Sequence, residues 1–239
     1  NSSTPLWSYL TGGDVYSVDI SADGEYVVVG STDNKVYLFG KDSNSTLWTY
    51  TASGDTYVSI SADGEYIAVG VDYESNNILL FDRSSSTPLW TATASSGGPT
   101  KGGIAISADG EYIAVGCTCG KVYLFDKNSS DALWSNDIGY YVRSVALSAD
   151  GEYIAVASDS DKAYLFDKDS STPLWIYEKI ENAFDQVSLS ADGEYIAACG
   201  GSRLVLLGKN SSTPLWTYAN SYFSICGLGF RKTIIYVCF

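Results

Sequence analysis

The chain contains no histidine and no methionine, and only 14 lysines and arginines among 239 residues. Without histidine, neither a Ser-His-Asp nor a Cys-His arrangement can be built, and the commonest general acid–base group is missing. A c-type haem attachment motif is excluded for the same reason. Against the few basic residues stand 28 acidic ones, for a net charge of −14 and a pI near 4.2. Such a surface repels phosphate backbones and carries no basic stripe, which argues against nucleic acid as a partner. The acidity itself reads as solubility rather than cation capture. No apolar run approaches the roughly 20 residues of a membrane span. The chain does not open with a signal-peptide pattern, so the expectation is that any such segment has been removed or was never present. The five cysteines (Cys117, Cys119, Cys199, Cys226, Cys238) are odd in number and show no paired framework.

What is present points to strands. Hydrophobic residues make up 45% and aromatics 14%, with 19 tyrosines, enough for a substantial core built from β-favouring side chains. The decisive feature is a repeat. Ser-Ala-Asp-Gly-Glu-Tyr begins at residues 21, 61, 107, 148 and 190, in steps of 40, 46, 41 and 42. A second landmark, Leu-Trp, places Trp at 7, 48, 90, 134, 175 and 216. The longest step spans "TASSGGPTKGG", which reads as an inserted surface loop.

Each unit divides into four short strands, as in "VYSVDIS" (15–21), "YVVVGS" (26–31), "KVYLFG" (35–40) and "LWTYT" (47–51). The Asp-Gly between the first two is a hairpin signal, because glycine takes the positive φ of the turn. The first strand alternates apolar positions with small or polar ones (Asp19, Ser59, Ala105, Ala146, Ser188), which suits a crowded region near an axis. The second is apolar throughout and reads as covered on both faces. A lone four-stranded sheet cannot bury both faces, whereas radial stacking of copies buries each against the next.

Unit by unit, "VYSVDISADGEYVVVGSTDNKVYLFGK" resembles the WD repeat, with its strand, Asp-Gly turn, strand, Ser-x-Asp and strand. The segments "KVYLFDKNSSDALW" (121–134) and "KAYLFDKDSSTPLW" (162–175) are similar to quinoprotein (PQQ-like) propeller repeats, which end the third strand in Asp and the fourth in Trp. The resemblance implies an all-β β-propeller of four-stranded blades, and more specifically a secreted prokaryotic protein of archaeal type. Two departures qualify the WD likeness: there is no Gly-His pair, and Phe or Leu replaces the Trp of the third strand.

Residues 1–239 read as one propeller domain with an irregular closing segment at 219–239. Six blades are favoured and five are the alternative. "LWSYL" (6–10) is then an orphan fourth strand that closes the last blade together with strands at Phe223–Leu228 and Thr233–Phe239. The third strand of that blade has no counterpart in the sequence. Such an incomplete blade offers an edge through which copies of the chain would pair.

Candidate chemistry is sparse. The Asp and Glu of "ADGE" recur in five equivalent turns, which argues for turn chemistry over catalysis. No catalytic residue, metal ligand or cofactor is assigned. Cys117 and Cys119 in "GCTCGK" resemble half of a soft-metal site, and ordinary substitution within a repeat is the simpler reading. Cys226 and Cys238 fall on the two closing strands, where a cross-strand disulfide would fit. "VDYESNN" and "SDSDK" hold oxygen ligands without matching a defined Ca²⁺ loop.

Asn-x-Ser/Thr occurs at Asn1, Asn44, Asn128 and Asn210, in the polar link between third and fourth strands or its equivalent. These candidate N-glycosylation sites point to a secreted or cell-surface protein. Propeller geometry puts the near-invariant "ADGE" turns and third-to-fourth links on one face, and the irregular loops on the other. Loops are where function is grafted onto a rigid scaffold. The irregular loops carry the candidate partner-binding residues Tyr73, Glu74, Tyr140, Tyr141 and Phe184. The expected function is a non-enzymatic scaffold or adhesion module binding protein or glycan; the alternative is a quinoprotein-like enzyme or a fragment of one.

Overall fold

The computed structural model describes residues 4–72, 77–94, 97–178, 184–219, 227–231 and 234–238, the last two by backbone alone. The first unit comprises β1 (Val15–Ile20), β2 (Tyr26–Ser31), β3 (Lys35–Gly40) and β4 (Thr46–Thr51). The second comprises β5 (Thr56–Ile60), β6 (Tyr66–Val71), β7 (Ile78–Asp82) and β8 (Trp90–Ala92). The third comprises β9 (Pro99–Ile106), β10 (Tyr112–Cys117), β11 (Lys121–Asp126) and β12 (Trp134–Asp137). The fourth comprises β13 (Val142–Leu147), β14 (Tyr153–Ser158), β15 (Lys162–Asp167) and β16 (Trp175–Glu178). The fifth comprises β17 (Gln186–Leu189), β18 (Tyr195–Gly200), β19 (Arg203–Gly208) and β20 (Ser211–Ala219), and a ribbon of β21 (Gly227–Arg231) and β22 (Ile234–Cys238) follows.

Each unit is an antiparallel meander whose strands lie in sequence order. The third and fourth units merge into one eight-stranded sheet through a parallel bridge, Ser144 to Gly102. Gly102 permits that approach, since a Cβ there would lie 2.7 Å from the Arg143 carbonyl oxygen. First strands of successive units adjoin one another, β17 and β21 included, so they form the inner wall of the array. Second and third strands are buried along nearly their whole length, as their unbroken apolar sequences require. Fourth strands alternate half-buried and exposed residues on the outer rim.

The repeated hexapeptide is the joint between units. Within the second unit, Ser61 Oγ donates to Asp63 Oδ1 (2.6 Å), Glu65 N donates to the same oxygen (2.9 Å), and Tyr66 N donates to Ser61 Oγ (3.0 Å). Between units, Ala22 N bonds Ala62 O, Ala62 N bonds Ala108 O, Ala108 N bonds Ala149 O and Ala149 N bonds Ala191 O, all at 2.8–3.0 Å. Each turn glycine has positive φ, and at Gly64, Gly110, Gly151 and Gly193 the missing side chain makes room for the tyrosine of the preceding unit. A Cβ on Gly110 would lie 2.6 Å from Tyr66 Cδ2, and Gly151 and Gly193 stand in the same way over Tyr112 and Tyr153.

A cation completes the joint. Glu25–Lys41, Glu65–Arg83, Glu111–Lys127, Glu152–Lys168 and Glu194–Lys209 are ion pairs. Arg83 lies over the Tyr26 ring at 4.2 Å and Lys127 over Tyr66 at 5.0 Å, so the cation also reaches into the preceding unit. The backbone carbonyl of that same residue accepts from the preceding unit's tryptophan: Trp48 Nε1 to Arg83 (2.7 Å), Trp90 to Lys127 (2.8 Å), Trp134 to Lys168 (2.7 Å) and Trp175 to Lys209 (2.8 Å). The two sequence landmarks are therefore two ends of one contact.

Two expectations are corrected. Residues 6–10 form no strand: Trp7 Nε1 donates to Lys41 O (2.7 Å) as Trp48, Trp90, Trp134 and Trp175 do to the next unit, but the backbone has no described third strand to pair with. Leu6 and Leu10 are consequently 93% exposed, whereas the equivalent Leu47, Leu89, Leu133 and Leu174 are 50–56% exposed. The insertion is only partly a loop, because Pro99–Gly103 extends β9 and Pro99 is buried opposite Cys117. Of the closing strands read at Phe223–Leu228 and Thr233–Phe239, Gly227–Arg231 and Ile234–Cys238 are strand, while residues 220–226, 232, 233 and 239 lie outside the described set. The small positions of the first strands also do more than fit: Asp19 Oδ2 accepts from Ile60 N (2.9 Å) and Ser59 Oγ (3.1 Å), joining the first unit to the second.

Candidate functional site

The starts of four first strands surround an open cavity of about 700 Å³ on the face that carries the irregular loops. Tyr16, Ser17 and Val18 enter from β1, and Thr100, Lys101 and Gly102 from β9. Tyr141, Val142 and Arg143 enter at β13, and Asp185 with Gln186 at β17. The small Ser17 and Gly102 let the strands converge without filling the space between them. Such a volume is in the range of small-ligand and peptide-anchor sites.

Two cations stand in this cavity of an otherwise acidic protein. Arg143 pairs with Asp159 and, at 3.6 Å, with Asp185. The hydrogen bond to Asp159 holds the guanidinium even more firmly in its charged form. Lys101 Nζ lies 5.1 Å from the centroid of the Tyr16 ring. Tyr16 in turn stacks on Tyr57, with planes 2° apart and centroids at 6.4 Å. Further along β1, Asp19 is half-buried, and desolvation pushes its carboxyl above the ordinary 3.8 despite three hydrogen bonds that favour the charged form. Aromatic faces, a fixed guanidinium, an amide and a hydroxyl are equipment for recognition. The Asp159 and Asp185 carboxylates are engaged by Arg143.

Of the residues singled out in the sequence, Tyr141 lines this cavity, and Tyr141 and the adjacent Tyr140 are each 58% exposed. Tyr73 and Glu74 lie outside the described residues. Phe184 is a correction: it is fully buried against Tyr177 at 5.9 Å, in the core shared by the fourth and fifth units. Asn44, Asn128 and Asn210 are exposed in third-to-fourth links on the opposite face, and Asn1 lies outside the described residues. Sequence reading missed Tyr16, Thr100, Lys101, Arg143 and Gln186. Two of them are cations in a chain with few, at the starts of inner strands, and that scarcity was the available signal.

The cysteines fall out differently from the soft-metal reading. Cys117 and Cys119 form a disulfide, and Cys199 is buried outside it. Cys226 lies outside the described residues, as does most of "VDYESNN". In "SDSDK", Asp159 is taken up by Arg143.

Comparison with known proteins agrees with this architecture. No curated protein sequence matches the chain. Among solved structures, the β-propeller domain of Cps50 (Swd1) from Myceliophteria thermophila superposes with a TM-score of 0.76 over 94% of this chain and 80% of that one, at 14% identity. That likeness fixes the fold as a β-propeller. Residues 4–39 match the WD domain, G-beta repeat. Residues 74–222 match the PQQ-like repeat family described as outer membrane protein assembly factor BamB. As this second match spans well over half of the chain and covers most of the second to fifth units, the chain belongs to that PQQ-like repeat family of β-propellers.

Proposed function

We propose that the chain is a non-enzymatic binding module, a rigid propeller that holds a protein partner on its irregular-loop face over the axial cavity. The observation that carries this reading is the asymmetry of the two faces. On one, the "ADGE" turns are consumed by joints between units. On the other, the cavity opens beside exposed Tyr141, with Arg143 and Lys101 in its wall. Membership of a family described as an assembly factor supports a role in holding other proteins rather than transforming them. A glycan ligand at the same cavity is the second form of this reading, favoured by its mixture of tyrosine rings with planar polar side chains.

Six blades, with the N-terminal segment completing the last, is the closure we favour. It is supported by Trp7 repeating on the first unit the contact that Trp48, Trp90, Trp134 and Trp175 make on the next. A secreted or cell-surface location is supported by the exposed sequons at Asn44, Asn128 and Asn210. Intact mass of natively produced protein should exceed that of the bare polypeptide.

A photo-crosslinking residue placed at Tyr141 tests the binding face, with Asn128 on the opposite face as control. Adducts to a protein in the producing cell are expected from position 141 and not from 128. The reverse pattern would refute the assignment. Adducts to saccharide alone would favour the glycan form, and a bound chromophore in the visible spectrum would revive the quinoprotein-like alternative.

A further inference from the structure

The turn between β10 and β11 holds a disulfide whose two cysteines are separated by Thr118 alone. Loop-closure entropy, the usual source of disulfide stabilisation, is least for so short a loop. The fold does not depend on it, because backbone bonds already fix the turn. Gly120 N donates to Cys117 O (3.2 Å), Thr118 N to Gly98 O (3.1 Å) and Ile138 N to Gly120 O (2.9 Å). Other units close the same turn with hydrogen bonds between the equivalent positions. Asp33 N donates to Ser31 Oγ (3.3 Å), and Ser160 N donates to Ser158 Oγ (3.2 Å). The geometry thus exists without the covalent link.

The two sulfurs differ in access. Cys117 is fully buried in a core cluster, while Cys119 packs on that cluster half-buried. The turn also stands among the links of the irregular-loop face. A Cβ on Gly97 would lie 3.5 Å from Cys119 Cβ, and one on Gly120 would lie 2.9 Å from Tyr140 N.

We propose that Cys117–Cys119 is a thiol–disulfide exchange site, opened by dithiols while the propeller stays folded. A thiolate attacks Sγ of Cys119, the less buried of the two residues. The bond to Cys117 breaks, and Cys117 leaves as a thiolate that takes up a proton. The second thiol of the dithiol then displaces Cys119, which is protonated in turn. Two electrons and two protons pass to the protein, and the dithiol leaves as a disulfide. Opening removes the covalent tie across the turn and leaves its backbone bonds to Gly98 and Ile138 in place, so the exchange proceeds within the folded propeller.

The test uses the whole chain, titrated with dithiothreitol, quenched with a maleimide and mapped by peptide mass. Cys117 and Cys119 share one tryptic peptide ending at Lys121, separate from Cys199. Double labelling of that peptide is expected at a dithiol concentration at least tenfold below any change in near-ultraviolet circular dichroism, with Cys199 still unlabelled. Labelling of the pair only together with Cys199, as the fold is lost, overturns the proposal. So does labelling of both cysteines in protein never exposed to a reductant.

Discussion

Replacing Gly110 by alanine attacks the joint between the second and third units at its tightest point. Two penalties arise. Gly110 has φ +74°, a left-handed conformation that costs an L-residue about 1–2 kcal/mol, partly offset by the lower entropy of the unfolded alanine chain. The new methyl would also stand 2.6 Å from Tyr66 Cδ2, and overpacking of this kind costs about 1–3 kcal/mol. Tyr66 cannot swing away without leaving the ring-to-cation contact with Lys127 at 5.0 Å. The sum is roughly 2–4 kcal/mol, a loss on the order of 5–15 °C in Tm for a domain of this size. Gly24 supplies the control. It has the same φ of +74°, yet nothing within 4 Å of its would-be Cβ. Gly24→Ala should therefore incur only the conformational part, about 1 kcal/mol. Urea denaturation of the two variants side by side measures the difference. Equal losses would refute the claim that the turn glycines exist to admit the neighbouring tyrosine.

Three further outcomes are expected. Because burial raises the Asp19 carboxyl above 3.8, its protonation favours the folded state, and that stabilisation is lost as pH rises through the folded value; wild type should gain on Asp19→Asn between pH 7 and pH 4, and a pH-independent gap in urea midpoints would contradict this. Deleting residues 1–10 removes Trp7 from Phe39 (5.3 Å) and from Lys41, and should destabilise by about 2 kcal/mol, roughly half the cost of truncating a fully buried tryptophan; an unaltered melt would leave five self-sufficient units. Ala146→Leu inserts volume on the inner wall, where Ala146 packs half-buried against the core of the fourth and fifth units, and should cost about 1–3 kcal/mol; an unchanged melt would misplace that strand.

Much of the strand plan was legible in the sequence. "YVVVGS" and "KVYLFG" coincide with β2 and β3 because their apolar runs, bounded by turn residues, leave one way to be buried. The purpose of the repeat was not legible. Gly110, Tyr66 and Lys127 look unrelated along the chain, and their meeting depends on how one unit lies against the next. Phe184 misled for a similar reason. Set in "ENAFDQ" it reads as a loop aromatic, but the space beside Tyr177 lies inward. The cavity was half visible: Tyr141 was found through its doubled aromatics, whereas Lys101 and Arg143 begin strands whose polar positions look like ordinary alternation.

The sameness of the joints also bears on how the chain finds its fold. Ala62 can dock on Ala108, but nothing in that contact distinguishes Ala108 from Ala149. Two units from different chains, or two non-adjacent units of one chain, would couple as readily as true neighbours, so misassembly and swapping are the natural errors of such a repeat. Correct order must then be enforced by whatever differs between couplings. Among the described residues, the carboxylate of Asp19 meeting Ser59 joins the first unit to the second, a contact that the equivalent alanines of the third and fourth units cannot make. A half-buried acid that weakens the folded state thus acts as a partial key, trading stability for a preference of the first unit for the serine-bearing second or fifth unit over the third and fourth.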